Sequence, residues 1–306
     1  MIKHKIYFTG DIHGEFMPLV FVLTKRYNLS DCSVIVCGDI GVGFYKLNYY
    51  IDTFKTMNNK LSKKNIQLYL IRGNHDNPDY FNCTPEELTN FSHVHLVHDY
   101  TVLHIGNHHI LCVGGATSVD KKFRTKDINW WEFENVIPYE KLNCENIDIV
   151  ATHCAPIFCP PSYKRISWMD DELDKKSQGD RTQLAKMYFD LIKNNKLQYW
   201  FYGHYHNHYR SLLPTGYFTE IDKHYLMNGQ TLDEDYKSND DELCKFIGLD
   251  MLSNNNVDLY NETGDSKYRA CPLIRKMVRG GNLGAKSGKG FYIYNADRTK
   301  TPVDAQ

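Results

Sequence analysis

Five different short polar motifs are spaced along the chain, and the earliest of them follow directly after apolar runs of strand length. They are GDIHG at 10–14, GDIG at 38–41, GNHD at 73–76, THCAP at 152–156 and GHYH at 203–206. Amphipathic stretches of helix length, at about 16–28 and 45–63, separate the first three. A strand, helix, strand repeat favours a parallel sheet, because the crossover helix returns the chain to the same sheet edge. The motifs therefore constrain the chain to an α/β fold.

Further strand predictions extend this pattern over the first two thirds of the chain. Short apolar runs predict eight strands, at 6–9, 33–37, 66–71, 93–96, 101–105, 109–113, 147–151 and 199–202. In open α/β sheets, sites form outside the carboxyl ends of the strands. Because all five motifs follow predicted strand ends, we expect them to form one composite site.

The side chains of the motifs are typical metal ligands. The candidate ligands are Asp11, His13, Asp39, Asn74, His153, His204 and His206. A mixed set of oxygen and imidazole donors suits hard or borderline divalent metals, and seven ligands are enough for two ions. A carboxylate such as that of Asp39 can bridge two cations roughly 3.5 to 4 Å apart, where a bridging water becomes a hydroxide nucleophile. The set predicts metal-assisted hydrolysis of a phosphate ester.

His75 is predicted to be catalytic rather than a ligand. It adjoins the ligand Asn74, and neighbouring side chains diverge, so both cannot easily bind the same ion. We expect His75 to donate a proton to the leaving oxygen. Asp76, the next residue, is expected to fix the tautomer of that imidazole.

The five motifs, in this order, resemble the signature of the calcineurin-like metallophosphoesterases, D-x-H, G-D, G-N-H-D/E, H and G-H-x-H. The resemblance covers about residues 1–250. It implies a four-layer α/β/β/α sandwich with the site at the strand ends. The resemblance also implies that one metal is bound by Asp11, His13, Asp39 and His206, and the other by Asp39, Asn74, His153 and His204. The sequence GDIGVGF at 38–44 departs from the G-D-x-x-D-R-G of protein serine/threonine phosphatases, which makes that activity a weaker expectation.

A second loop, GGATSVD at 114–120, is followed by several basic residues and is similar to a loop in bacterial and phage-type members of the family. One of these basic residues, Arg124, is expected to bind a substrate phosphate, since a planar guanidinium matches two phosphoryl oxygens. The alternative is a solvated basic loop. Trp130 and Trp131 line either a substrate rim or the core. The segment 159–178 is expected to be a lid or a mobile connection.

Composition indicates a globular protein with reduced thiols. Lys plus Arg and Asp plus Glu number 36 and 37, so the net charge of -1 does not favour nucleic acid or an acidic membrane as a general partner. Nine cysteines lack CxxC spacing, which is typical of a reducing compartment. The apolar run at 17–23 is short for a signal peptide or a membrane span. We therefore expect a cytoplasmic location and no membrane partner.

The C-terminal part has a different character. Residues 268–295 resemble the C-terminal end of 3-hydroxyacyl-CoA dehydrogenases, in the sequence YRACPLIRKMVRGGNLGAKSGKGFYIY. No G-x-G-x-x-G follows the first strand, so dehydrogenase activity does not follow. We predict a metallophosphoesterase domain at 1–252, closed by a strand at 246–252, a polar linker at 253–267, and an appendage at 268–306. The appendage is expected to be partly helical, at about 272–279, or disordered; phosphate binding by Lys286 and Lys289 is an alternative role.

The sequence thus predicts a phosphoesterase with two divalent metals, manganese first, with iron, zinc, nickel or magnesium as alternatives. The competing hypothesis is a non-catalytic metal-binding scaffold of the same fold. Monoesters, diesters, nucleotides, phosphoproteins and nucleic acid ends all stay open as substrates, because selectivity lies in the loops. The oligomeric state is left open as well.

Overall fold

The computed structural model describes residues 4–142, 144–161, 164–165, 167 and 169–206, together with the backbone of five later strands. The chain divides into two compact units, Met1–Glu234 and Asp235–Gln306. In the second unit, the described residues form an antiparallel pair, β12 (Tyr292–Tyr294) and β13 (Lys300–Pro302). The predicted strand at 246–252, the linker at 253–267, the helix at 272–279, and Lys286 and Lys289 lie outside the described residues. The predicted division at 252 and 268 therefore stays a prediction.

The first sheet of the larger unit has five strands in the order β11-β1-β2-β3-β4. They are β1 (Lys5–Thr9), β2 (Cys32–Val36), β3 (Ile66–Ile71), β4 (Val94–Val97) and β11 (Met227–Asn228). β1 to β4 are parallel and β11 is antiparallel to β1. The helices after these strands are α1 (Phe16–Phe21), continued by a π-helix (Val22–Arg26), α2 (Leu47–Ser62), α3 (Asp79–Asn82) and α4 (Glu86–Thr89). Tyr50, Phe54, Met57 and Leu61 give α2 one buried stripe at helical spacing.

The second sheet has six strands in the order β5-β6-β7-β8-β10-β9. They are β5 (Thr101–Ile105), β6 (His108–Val113), β7 (Ile149–Thr152), β8 (Tyr199–Tyr202), β9 (Tyr209–Leu213) and β10 (Gly216–Glu220). β6, β7, β8 and β10 are parallel, whereas the edge strands β5 and β9 are antiparallel to their neighbours. A short 3-10 turn (Lys121–Phe123) and the long helix α5 (Asp171–Asn194) lie in the connections.

Three apolar cores hold these elements in layers. One core packs α1 and α2 on the first sheet, and another packs α5 on the second sheet. The third lies between the two sheets, where the rings of Phe8 and Phe201 stack with their centroids 3.8 Å apart. This arrangement confirms the predicted four-layer α/β/β/α sandwich. No helix among the described residues is long and apolar enough to span a membrane.

Helix α5 corrects one expectation. Residues 171–178 form its first two turns, where the sequence indicates a lid or mobile connection. The Asp170 carboxylate caps the helix by accepting the Leu173 N–H at 2.7 Å. Farther along, Leu184, Met187 and Leu191 form a buried stripe against the second sheet. The helix is hard to predict from the sequence of its charged first turns, because they carry little apolar periodicity of their own.

A buried ion pair fixes the end of β3, where the third motif begins. The fully buried Arg72 guanidinium donates to Asp99 Oδ2 at 2.9 and 3.2 Å, and to the carbonyl oxygens of Glu134 and Asn135 at 2.7 and 3.0 Å. Asp99 Oδ1 also accepts the Gly114 N–H at 2.6 Å. Arg72 therefore ties β3 to the loops at 114 and 133–135.

Replacing Arg72 with Met should lower the free energy of unfolding by about 3 to 5 kcal/mol, because it leaves the Asp99 charge buried without its partner. Chemical denaturation would measure this loss. The double variant Arg72→Met/Asp99→Asn should lose less than the sum of the two single variants, since it removes both charges together. Strictly additive losses would show that the pair is not coupled.

Candidate metal centre

The loops that carry the predicted ligands meet at one edge of the sandwich. Asp11 and His13 follow β1, Asp39 follows β2, and Asn74 follows β3. The ligands from the second sheet are His153 after β7, and His204 and His206 after β8. The carboxyl ends of parallel strands lie on the same side of a sheet. The structure therefore brings together all seven residues that the sequence singles out.

The seven side chains form two groups that share Asp39. In the first group, ligand atoms of Asp11, His13, Asp39 and His206 lie within 4.8 Å of one another; in the second, the same holds for Asp39, His153 and His204. The two Asp39 oxygens face different groups. Oδ1 lies 3.1 Å from His153 Nε2, whereas Oδ2 lies 3.7 Å from His13 Nε2. Asn74 joins the second group, because its Oδ1 is 2.9 Å from His153 Nε2.

Many of these ligands have an unfavourable backbone conformation. Asp11, His13, Asp39, His204 and His206 have φ values of 54°, 44°, 50°, 75° and 52°. This left-handed region is sparsely populated by residues other than glycine, and strain of this kind concentrates at functional sites. Hydrogen bonds between loops hold the conformation; for example, the His204 N–H donates to Asp11 Oδ1 at 2.9 Å. The strained loops aim side chains from separate strands at one point.

Two glycines leave room for ligands from other loops. A Cβ on Gly38, which has a φ of +86°, would lie 2.1 Å from the His153 ring. A Cβ on Gly73 would lie 2.1 Å from the backbone nitrogen of Asp39. Glycine is therefore required where these loops touch.

Burial and the shared carboxylate set the charge states. Burial lowers the pKa of His13 to about 4 and the pKa of His204 to about 3, so both imidazoles are neutral near pH 7 and can donate a lone pair. Burial also disfavours the charged form of His153, but the nearby Asp39 carboxylate outweighs it and raises the pKa of His153 to about 9. Conversely, although burial favours the neutral acid, His153 holds the pKa of Asp39 well below its usual range. A cation bound at His153 Nε2 would displace its proton.

The orientation of His153 and Asn74 is set by groups behind them. His153 Nδ1 donates to the Cys37 carbonyl oxygen at 2.9 Å, which aims Nε2 at the centre. Asn74 Nδ2 donates to Ser118 Oγ at 3.0 Å, and Ser118 Oγ donates to Glu134 Oε2 at 2.6 Å. The amide oxygen of Asn74 consequently faces His153.

Sequence reasoning missed the supporting pair Ser118 and Glu134. Ser118 lies 44 positions from Asn74, and Glu134 lies a further 16 away, so no local spacing connects them. Glu134 also accepts the Ser118 N–H, at 2.8 Å. Burial raises the pKa of Glu134 to about 7. The only sequence signal was the glycine-containing loop at 114–120, which indicated the region but not the residue.

Asp76 occupies a different position from the predicted one. Its carboxylate accepts the backbone N–H groups of Ile40, Gly41, Val42 and Gly73 at distances of 2.7 to 3.0 Å. These contacts connect the second motif to the third. They occupy both carboxylate oxygens of Asp76, which we had expected to hold the imidazole of His75. The geometry gives Asp76 a positioning role in place of the expected contact with His75.

His75 and Arg124 meet at the outer side of the centre. His75 Nε2 lies 4.0 Å from Asp39 Oδ2 and contacts Arg124 Nη2. Asp120 holds the guanidinium in place, with Oδ2 2.9 Å from Nε and Oδ1 2.8 Å from Nη2 of Arg124. A guanidinium only donates, so His75 Nε2 accepts in this arrangement. Burial lowers the pKa of His75, and the Arg124 charge acts in the same direction.

Comparison with known proteins gives two separate matches. The family model for calcineurin-like phosphoesterase matches residues 4–208, which is more than half of the chain. The model for the C-terminal domain of 3-hydroxyacyl-CoA dehydrogenase matches residues 241–294. Both predicted resemblances are therefore confirmed.

The curated relatives share only a short segment. A probable 3-hydroxybutyryl-CoA dehydrogenase of Bacillus subtilis is 56% identical over 52 residues, which cover 17% of this chain and 18% of the relative. The 3-hydroxybutyryl-CoA dehydrogenase of Clostridioides difficile is 58% identical over 54 residues, covering 17% and 19%. The chain thus spans less than a fifth of the length of these relatives.

Two solved structures that resemble this chain have TM-scores below 0.5. The protein TT1561 of Thermus thermophilus is 13% identical, with a TM-score of 0.44, over 74% of this chain and 98% of that one. Phosphopantetheinyl hydrolase from Mycobacterium tuberculosis is also 13% identical, with a TM-score of 0.44, over 72% of this chain and 90% of that one. The family match, together with the observed layers, identifies the fold.

Replacing Ser118 with Ala should weaken metal binding about 10- to 100-fold, because Asn74 then loses the contact that orients its amide oxygen. Titration of metal-stripped protein with manganese would measure the change. Replacement of the exposed Ser62 with Ala, at the end of α2, is the matched control and should leave the affinity unchanged. Equal affinities for wild type and Ser118→Ala would contradict a role for Ser118 in positioning the ligand.

Proposed function

The chain belongs to the calcineurin-like phosphoesterases, and we propose that it is an enzyme that hydrolyses phosphate mono- or diesters with two divalent metal ions. The observation that carries this proposal is the sharing of Asp39 by two groups of oxygen and imidazole donors. One carboxylate that faces both groups is the arrangement that a two-metal centre requires. The neutral states of His13 and His204 near pH 7 fit the same role.

The donor set fits the metals. Asp11, His13, Asp39 and His206 would hold one ion, while Asp39, Asn74, His153 and His204 would hold the other. Two ions bound by these residues would supply activation of water at neutral pH and neutralisation of charge on the phosphoryl oxygens. Carboxylate, amide and imidazole donors suit manganese, which we place first, and also iron, zinc, nickel or magnesium.

His75 and Arg124 are proposed to act on the substrate. Arg124 is fixed by Asp120 and presents its guanidinium beside His75, so the two can hold phosphoryl oxygens together. A phosphoryl group at this position would raise the pKa of His75, because negative charge favours the imidazolium. His75 would then donate its Nε2 proton to the leaving oxygen.

The location is proposed to be the cytoplasm. All seven cysteines among the described residues are free thiols. Buried thiols without disulfide partners support a reducing compartment. Redox-sensitive labelling of the protein in cells would test this.

Protein stripped of metal and reloaded with manganese should hydrolyse 4-nitrophenyl phosphate or its bis ester. Asp39→Asn should reduce turnover by about 100-fold or more, because the amide cannot serve both groups as an anionic ligand. Asp52→Asn, at an exposed position on α2, is the matched control. The ester that is preferred would separate monoesterase from diesterase activity.

This assay distinguishes an enzyme from a non-catalytic scaffold. Metal-dependent turnover that Asp39→Asn abolishes supports the enzyme. Stoichiometric binding of two ions with no turnover of either ester would count against the proposal and favour the scaffold of the same fold, in which the metals only shape a surface.

His75→Ala should lower kcat by about 100- to 10,000-fold, the range expected for loss of a general acid. Metal content, measured by elemental analysis, should stay at the wild-type value, since His75 is outside both ligand groups. The exposed His98 offers a control, and His98→Ala should leave kcat unchanged. Wild-type turnover in His75→Ala would remove His75 from the catalytic step.

A further inference from the structure

A cavity of about 360 Å³ lies between the basic loop after GGATSVD and the first turns of α5. Its lining residues are Lys121, Lys122, Arg124, Lys126, Trp130, Asp170, Glu172, Leu173 and Lys176. A volume of this size is in the range of small-molecule sites. Apart from Arg124, the residues that line the cavity play no part in the two-metal chemistry described above.

The cavity is connected to the metal centre through Arg124. This guanidinium lines the cavity and also contacts His75, which lies 4.0 Å from the shared carboxylate of Asp39. The Arg124 side chain is only 7% exposed, and Asp120 fixes its position. A molecule whose phosphoryl group reaches His75 would therefore extend past Arg124 into the cavity.

The lining carries an excess of positive charge. Five of the lining residues are cationic and two are acidic. Three of the cations form ion pairs, Arg124 with Asp120, Lys126 with Glu132 and Lys176 with Glu172, so phosphate binding in the cavity would depend on Lys121 and Lys122 beside Arg124. Both acidic groups are engaged in α5 itself. Asp170 caps the helix by accepting the Leu173 N–H, and Glu172 pairs with Lys176 at 2.9 Å.

Two ammonium groups of the loop, those of Lys121 and Lys122, lie against aromatic rings. Lys121 Nζ is 4.1 Å from the ring centroid of Trp130, and Lys122 Nζ is 4.8 Å from that of Phe123. Cation–π contacts of this kind hold an ammonium near a ring without neutralising its charge. Lysine ammonium groups are compact point charges that suit phosphate.

We propose that this cavity binds a second phosphoryl group of the substrate, so the substrate is a small molecule with at least two phosphoryl groups. The inference rests on the proposed function, because it places the scissile phosphoryl group at the metal centre. A nucleic acid strand would require a basic stripe along several phosphates. The cations described here instead surround a single cavity next to Arg124.

The test compares adenosine 3′,5′-bisphosphate with adenosine 5′-monophosphate on the manganese-loaded full chain. Calorimetry should show binding of the bisphosphate to be about tenfold tighter, which corresponds to about 1.4 kcal/mol. The double variant Lys121→Gln/Lys122→Gln should lose this preference. Its binding of the monophosphate and its turnover of 4-nitrophenyl phosphate should stay within about twofold of wild type.

The matched control is Lys60→Gln/Lys63→Gln, which removes two charges at the end of α2. That end leads into the amino end of β3 and so lies at the sheet edge opposite the ligands. This control should keep the full preference for the bisphosphate. A preference lost equally in both double variants would indicate a general charge effect and overturn the proposed subsite.

The remaining outcomes separate the inference from the proposed function. Metal-dependent turnover without preference for the bisphosphate would overturn the subsite alone. Preference without turnover of any ester would overturn the proposed function and keep the subsite. Binding of a 5′-phosphorylated oligonucleotide more than tenfold tighter than the bisphosphate would overturn the small-molecule class.

Discussion

The Asp39 carboxylate is the group on which the arrangement of the site depends. Its two oxygens face different sets of donors, and its Oδ1 also accepts the His75 N–H at 2.8 Å. A buried carboxylate is costly unless it is paired, and the surrounding imidazoles supply that compensation. The contact with His153 favours the charged form of that imidazole, and the contact with the His75 N–H positions the backbone of the third motif. A displacement of Asp39 would therefore alter both ligand groups together.

The fold holds this carboxylate by restraining the loops around it. Asp76 connects the second and third motifs through backbone N–H groups, and Arg72 connects β3 to the segment that carries Glu134. These buried contacts compensate for the left-handed backbone at the ligands, which would otherwise favour rearrangement. Rigid loops matter because the proposed two-metal centre would need donors from five separate strand ends in a fixed geometry. Stability and chemistry are thus linked through the same few polar groups.

Local patterns predicted much of the fold and the ligand set. The strands at 66–71, 101–105 and 199–202 have the predicted bounds, because short apolar runs beside polar motifs end abruptly. The structure also groups the candidate ligands; most of them stand beside a glycine, whereas His153 in THCAP was singled out because it follows a predicted strand. No helix was predicted where α5 lies, because a side-chain cap and a buried stripe beyond its charged first turns, not periodicity in those turns, specify the helix. The expected contact between Asp76 and His75 was wrong, because adjacent side chains diverge and the Asp76 carboxylate accepts backbone N–H groups of the second and third motifs instead.

The sequence by itself determined the α/β class, the seven candidate donors and the family, because these depend on the order of the motifs and on their residue types, which can be read along the chain. Only the tertiary structure decided that Asp39 faces both groups, that Ser118 and Glu134 orient Asn74, and that Arg124 joins His75 to a basic cavity. Each of these facts concerns side chains from different loops. Their distances depend on how the two sheets pack and on where strained loops point, and neither is encoded in the spacing of residues along the chain.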